Sequence, residues 1–350
     1  MPHPVDALLH DAGRRSASDL VLEPQDDGSL VARARIEGVY GDLGRLSGVD
    51  AASAIARLKA LAALPAYLTD EPQDGRIDGR PFAIPGDLRL ACLPTVRGER
   101  LALRLPSLGA LPTPAGLGLP PPVVAALRAA LRRSDGLVVV TGPTGSGKTT
   151  TIHSLLTELA AERPDRQVVT IEDPVERRLP GVAQVAMRPE RKLDWGQALA
   201  AVLRQDVDVL VVGEVRDGAT ATASLRAALT GHLVVTTLHT ARAVDVAPRL
   251  IEMGCDADLL LPALSVVLTQ RLMRLVHQPC AGRGCADCHG GYLGRRAVAD
   301  LLIVDAAARA AWRAGRPPAL AHDLDEQARD LVSSGATSSA EQARIFTAQE

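Results

Sequence analysis

The sequence predicts an α/β fold, a mostly parallel sheet with helices on both faces, preceded by a small α+β domain and followed by a helical C-terminal region. Three observations lead there. Between residues 136 and 238, four short β-branched runs alternate with segments of helical periodicity, as in βα units whose strands are buried on both faces. Apolar residues make up 47% of the 350 and aromatic ones only 2%, so the cores must be built from Leu, Val and Ala. That composition suits helices packed on a sheet and argues against aromatic platforms for single-stranded nucleic acid. Pro and Gly crowd residues 106 to 122, where the texture of the chain changes.

In chain order, residues 30 to 36 alternate in part like a strand, 51 to 64 have helical spacing, and 101 to 105 read as another strand. Residues 1 to 108 are therefore expected to form the α+β domain, and 109 to 122 a linker where the chain reorients. A core domain over 123 to 276 follows. Its helices are expected at 123 to 133, 153 to 161, 195 to 204 and 219 to 229, and its strands at 136 to 141, 168 to 171, 207 to 212 and 233 to 238. Beyond Leu250 the chain is expected to turn helical, broken by a cysteine-containing segment at 277 to 296, and to end in short helices over 297 to 350.

Charge excludes a bulk basic field for nucleic acid, because 39 Lys and Arg stand against 41 Asp and Glu. Local arginine clusters, Arg97, Arg100 and Arg104, then Arg128, Arg132 and Arg133, fit either a solvated surface or a subunit or anion contact. The longest apolar run, 259 to 268, contains Pro262 and Ser265 and falls short of the roughly 20 residues a span needs. No leader pattern is visible, so a soluble, cytoplasmic protein is expected, associated with a membrane only through partners. Cys92 and Cys255 lie in apolar surroundings and read as core thiols, whereas Cys280, Cys285 and Cys288 cluster.

Gly142-Pro143-Thr144-Gly145-Ser146-Gly147-Lys148-Thr149 is a complete Walker A pattern between an apolar strand and a helix, with Thr150 next in line. Its glycines let successive backbone N–H groups curl around a β-phosphate, Lys148 reaches the β- and γ-phosphates, and Thr149 offers a hydroxyl to Mg²⁺. The helix behind it adds partial positive charge. The chain is thus expected to bind and hydrolyse ATP with Mg²⁺. Glu214 ends an apolar strand, where it can hold Mg²⁺ or its water, while Asp208 at the strand's start reads as structural. Glu172, Asp173 and Glu176 follow another strand, at the edge where α/β sheets bind ligands. Taken alone they fit a charged turn equally well. His232 and His239 bracket the fourth strand, which suggests γ-phosphate sensing against the blander reading of structural histidines.

Together these residues resemble the secretion and pilus ATPases, the hexameric motors of type II secretion and type IV pilus assembly, from about Ser18 to Ile345. The resemblance is carried in order by Ser18 to Pro24, Pro72 to Arg76, Leu93 to Arg100, Thr170 to Glu176, Leu203 to Asp206, Val212 to Asp217, Thr230 to Thr240, Gln270 to Leu272 and Gly290 to Arg295. It implies a RecA-like P-loop domain and a PAS-like N-terminal α+β domain. It also implies an acidic box containing Glu172 and Glu176, a Walker B glutamate at Glu214, and a histidine box containing His232 and His239. Arg89 and Arg104 fall where the small domain presents arginines to nucleotide. Partners implied are a homo-hexamer and an inner-membrane platform protein, whose movement assembles pseudopilin or pilin subunits.

Three departures qualify the resemblance. Val21 stands where the family has His. Ala219 and Ala241 replace a Glu and an Asn. The family's two Cys-x-x-Cys pairs shrink to Cys285-Ala286-Asp287-Cys288 with Cys280 upstream, leaving zinc bound by these three with His277 or His289, or a metal-free loop, as alternatives. The cysteine remnant favours an assembly motor over a retraction motor. The extra N-terminal domain of assembly ATPases is not expected, since about 17 residues precede the shared region. A type II secretion ATPase is the leading expectation, ahead of a pilus assembly motor and then a retraction motor. A conjugation or effector-translocation ATPase, a catalytically silent ring subunit and a polynucleotide translocase are weaker competitors.

Overall fold

In the first of two units, Met1–Ala110, apolar side chains fall on alternate strand positions and so share one face of a sheet. The structure is a computed structural model that describes residues 3–106, 109–187 and 194–347. This unit holds α1 (Pro4–Arg14), β1 (Asp19–Pro24), β2 (Leu30–Ile36), β3 (Val39–Leu46), α2 (Val49–Leu61), β4 (Gln73–Asp78), β5 (Asp87–Thr95) and β6 (Gly98–Arg104). The sheet is antiparallel, in the order β3-β2-β1-β6-β5-β4. Leu20, Leu22, Leu30, Ala32, Leu88, Leu90, Leu101 and Leu103 face a core completed by Val5 and Leu9 of α1 and Ala54 and Leu58 of α2. Cys92 belongs to it, and burial pushes its thiol up to about 11. Lys59 is wholly buried there, paired with Glu99 and donating to the carbonyl of Leu68.

The opposite face is charged. Arg89 and Arg104 are exposed and stand directly across from each other on β5 and β6. With Arg76, Arg100, Asp19 and Asp74 they line an open hollow of about 580 Å³. Val21, at the position where histidine was expected from the resemblance, lies in its floor.

The second unit, Leu111–Glu350, begins inside the stretch expected as a linker. Leu119 is buried against the unit's core, and Ser154 Oγ donates to the Pro112 carbonyl at 2.6 Å, so those prolines brace the unit. Next come α3 (Pro121–Leu131), β7 (Gly136–Thr141), α4 (Lys148–Glu162), β8 (Val168–Glu172), β9 (Ala183–Ala186), α5 (Trp195–Val202), β10 (Val209–Val212), α6 (Gly218–Leu229) and β11 (Leu233–Leu238). The chain continues with α7 (Val246–Glu252), α8 (Ala257–Ala263), β12 (Leu264–Val276), β13 (Tyr292–Ile303), α9 (Ala306–Arg313), α10 (Leu324–Ser333) and α11 (Ser339–Thr347). The sheet runs β13-β12-β7-β11-β10-β8-β9 and is parallel except for β13. Separate apolar clusters, one with α3 and α4 and the other with α5 to α8, show helices on both faces, as predicted for a RecA-like core.

The expectation of helix beyond Leu250 is corrected in part. Only α7 and α8 are helical before the 13-residue strand β12, which returns antiparallel as β13. Leu264 to Gln270 are almost all buried, and a continuous apolar run carries no period to separate strand from helix. Residues 277–291 are therefore the tip of a hairpin, and residues 297–303, expected as helix, continue β13. The helical end forms as α9, α10 and α11.

The arginine clusters are engaged within the chain. Arg128 and Arg132 pair with Glu158 and Glu162 between α3 and α4, while Arg97, Arg100 and Arg104 pair with Asp26, Glu23 and Asp19.

Candidate active site

Four neighbouring parallel strands end at one edge of the second unit's sheet, and each delivers a different polar group there. The loop after β7 is the Walker A segment, His239 follows β11, Glu214 follows β10, and Glu172 closes β8. Convergence at the carboxyl ends of parallel strands is where α/β folds place ligands.

The phosphate loop turns through Gly142, Gly145 and Gly147, all at positive φ (134°, 78° and 94°), which side chains with a Cβ rarely adopt. Lys148 opens α4, is mostly buried, and donates from Nζ to the carbonyls of Gly142 at 2.7 Å and Pro143 at 3.1 Å. Burial lowers its pKa to about 8 despite the opposing charge of Glu214. These carbonyls hold the ammonium inside the loop, and Ser146 Oγ is buried with no partner among the described residues. A triphosphate fits that donor set: backbone N–H groups in a glycine loop, a helix N-terminus and a buried cation. Thr149 and Thr150 lie in the first turn of α4.

Glu214 pairs with Arg216 and lies 3.5 Å from His239 Nε2. Burial raises its carboxyl pKa, but hydrogen bonds and charge from Arg216 and His239 outweigh that and hold it below the usual range. Its loop is fixed by β11: Thr237 Oγ1 donates to the Gly213 carbonyl at 2.6 Å, Thr236 Oγ1 to that of Val212, and the Val215 amide to that of Thr237. Thr141, the last residue before the phosphate loop, accepts from the Thr240 amide at 2.8 Å. The three loops thus share one hydrogen-bonded frame.

Glu172 differs from Glu214. It is buried, accepts from Thr170 Oγ1 at 2.6 Å and Gln184 Nε2 at 2.9 Å, and sits 3.1 Å from His153 Nε2 on α4. Burial opposes ionisation, yet these partners lower its pKa. Glu176 is exposed farther along the same loop. Asp208 accepts the Gln167 amide, a structural role as expected.

The two histidines do not converge within one chain. His239 is level with Gly142, but His232 precedes β11 beside Gly136, at the other end of a strand about 20 Å long, and contacts the Ala227 carbonyl at 3.1 Å. A six-residue strand has its ends on opposite edges of the sheet, so bracketing it cannot place both side chains in one crevice. Arg89 and Arg104 lie in the first unit, on its charged face.

Residues missed in the sequence hold the histidine loop from behind. Arg242 bonds Asp300 at 2.7 Å, Asp325 at 2.7 Å and Asp323 at 2.9 Å, and Arg271 donates to the carbonyls of Ala241 and Ile345. Only Arg242's nearness to His239 hinted at this, because its partners lie 58 to 83 residues away.

At the hairpin tip, donor atoms of His277, Cys280, Cys285 and Cys288 all lie within 4.8 Å of one another. Cys285 and Cys288 sulfurs are 3.6 Å apart, those of Cys280 and Cys288 3.8 Å, and Cys285 Sγ is 3.4 Å from His277 Nδ1. Tetrahedral zinc with bonds of about 2.3 Å to sulfur requires sulfur separations near 3.8 Å, so the set fits. His289 is outside the set and pairs through its backbone with Tyr292.

Comparison with known proteins gives the family and supports the fold. The family model described as "Type II/IV secretion system protein" matches residues 2–349. Type II secretion system protein HxcR of Pseudomonas aeruginosa is 39% identical over 340 residues, covering 93% of this chain and 70% of that protein. Type IV pilus assembly ATPase PilB of Thermus thermophilus is 38% identical over 341 residues, covering 89% of this chain but only 38% of its own length. Among solved structures, the pilus retraction motor PilT with bound ADP matches 99% of this chain and 93% of its own at TM-score 0.63 and 26% identity. The Legionella pneumophila ATPase DotB matches 98% and 94% at TM-score 0.72 and 22% identity, which supports the fold.

Proposed function

We propose, for a chain that belongs to the type II/IV secretion system protein family, that it is the ATP-hydrolysing motor of a type II secretion system, energising pseudopilus assembly. That it is an ATP-driven P-loop motor of the secretion and pilus class follows from the family. The observation that carries the mechanism is the delivery of phosphate loop, histidine and glutamate to one sheet edge by adjacent strands.

Bound ATP with Mg²⁺ supplies the phosphoanhydride and the cation. Thr149 and Glu214 would hold Mg²⁺, and Lys148 would leave the Gly142 carbonyl for the phosphates. Glu214 orients the attacking water and accepts its proton, with Glu172 and Glu176 helping to organise the metal and water, while His239 reports the γ-phosphate to Glu214, 3.5 Å away. Arg89 and Arg104 neutralise charge developing on the transferred phosphoryl group, which makes turnover depend on closure of the first unit. His232, remote from its own chain's site, is assigned to a subunit contact in a homo-hexamer.

The similarity to HxcR favours type II secretion, and that to a pilus assembly ATPase makes pilus assembly the second reading. A retraction motor is third. No helix among the described residues is long and apolar enough to cross a membrane, consistent with a cytoplasmic protein held at the inner membrane by a platform partner. Zinc bound by His277, Cys280, Cys285 and Cys288 would staple the hairpin tip. The test of the motor reading is light scattering combined with phosphate release as protein concentration rises. A hexamer-sized particle with ATP and turnover per chain that climbs with assembly are expected; full turnover by a monomer would overturn the ring.

A further inference from the structure

The strand β12 lies beside β7 with Thr269 opposite Thr141, so the next residue, Gln270, sits level with the first glycine of the phosphate loop. Its side chain is 2% exposed. Gln270 Nε2 donates to the Ser146 carbonyl at 2.8 Å, and its Oε1 accepts from Thr151 Oγ1, also at 2.8 Å. The carbonyl of Ser146 can only accept, which fixes the orientation of the amide. Two loop glycines are pressed against the same residue: a Cβ on Gly147 would lie 2.6 Å from Gln270 Nε2, and one on Gly142 would lie 2.4 Å from the Gln270 carbonyl.

We infer that Gln270 is a positioning residue for nucleotide phosphate binding, aiming the loop's backbone donors without touching the nucleotide. In a planar trans peptide the C=O and N–H vectors point in opposite directions. Tying the Ser146 carbonyl to Gln270 therefore turns the Gly147 N–H away from β12, toward the side where a phosphate would be cradled. The bond to Thr151 ties the same side chain to the first turn of α4, so loop and helix N-terminus are held in one register. Donors fixed before binding cost less to organise when the anion arrives. Gln270 is 124 residues from Ser146 in sequence, and β12 is the strand that leads to the cysteine hairpin.

The inference rests on the reading of residues 142–149 as the phosphate loop, and the test separates the two. ADP and AMP dissociation constants are measured by calorimetry on the full chain for wild type, Gln270→Met and Lys148→Ala, at a temperature where circular dichroism shows each folded. Gln270→Met should weaken ADP about tenfold while leaving AMP within about twofold, since only ADP carries the β-phosphate that the loop holds. Equal weakening of both, or ADP within about twofold of wild type, overturns the inference. If Gln270→Met does not fold, Thr151→Val, which removes the bond tying the Gln270 side chain to α4, is measured instead. An ADP loss of about threefold supports the inference and an unchanged value overturns it. Failure of Lys148→Ala to weaken ADP would instead reject the phosphate-loop reading itself.

Discussion

Glu172 and Glu214 end neighbouring strands, yet their surroundings give them different work. Glu172 is buried and satisfied by Thr170, Gln184 and His153, whereas Glu214 contacts solvent-exposed polar partners, Arg216 and His239, at the edge of the site. Glu172→Gln replaces an acceptor oxygen by a donor in a place with donors already facing it. A stability loss of about 2 to 3 kcal/mol is expected, read as a lower denaturation midpoint at unchanged m value; an unchanged midpoint would contradict this. The sequence set Glu214 ahead of Glu172, whose segment taken alone fitted a charged turn equally well, but it could not show the burial of Glu172, since His153 and Gln184 lie on other elements. The phosphate loop was legible residue by residue because its spacing is itself the geometry. The histidines were misleading for the opposite reason: spacing along β11 says which edge each occupies, and the edges are different.

At the scale of elements, β2, β7, β8 and β11 could be read from β-branched runs and alternation, while β12 could not. Its apolar run is compatible with either period, and only its pairing with β7 and β13 decides. The antiparallel hairpin then closes at the cysteine tip, and α11 packs behind it through Glu341. That carboxylate is buried and bonded by Arg274 and Arg344; burial opposes its charge, but the arginines bring its pKa down to about 2. Because the folded pKa lies below the ordinary 4.5, its contribution is complete above that pH and is lost as pH falls toward 2. Glu341→Gln should lower stability by about 3 kcal/mol at pH 7, and the gap to wild type should narrow on acidification. A gap independent of pH would contradict the assignment. At the hairpin tip, elemental analysis should find zinc at about one ion per chain and Cys288→Ser should lose it, with faster proteolysis at residues 277–291. Equal zinc in the variant would exclude the cluster as its site.

For the whole molecule, the proposed mechanism divides the chemistry between two units. The second carries the phosphate loop and carboxylates, and the first carries Arg89 and Arg104 side by side on a charged sheet face. Composition foretold both cores, while only the resemblance pointed Arg89 and Arg104 at nucleotide, because an exposed arginine on a strand looks the same whether it meets water or a phosphoryl group. Replacing Arg89 and Arg104 together by Ala should reduce kcat about a hundredfold or more while ADP affinity changes little. Equal loss of ADP affinity would mean they serve ground-state binding instead. The most direct measurement is steady-state phosphate release by Glu214→Gln beside its ADP affinity, in samples where assembly is also recorded. Turnover at background with wild-type ADP affinity and assembly is the predicted result; turnover close to wild type would show that Glu214 is not the catalytic carboxylate.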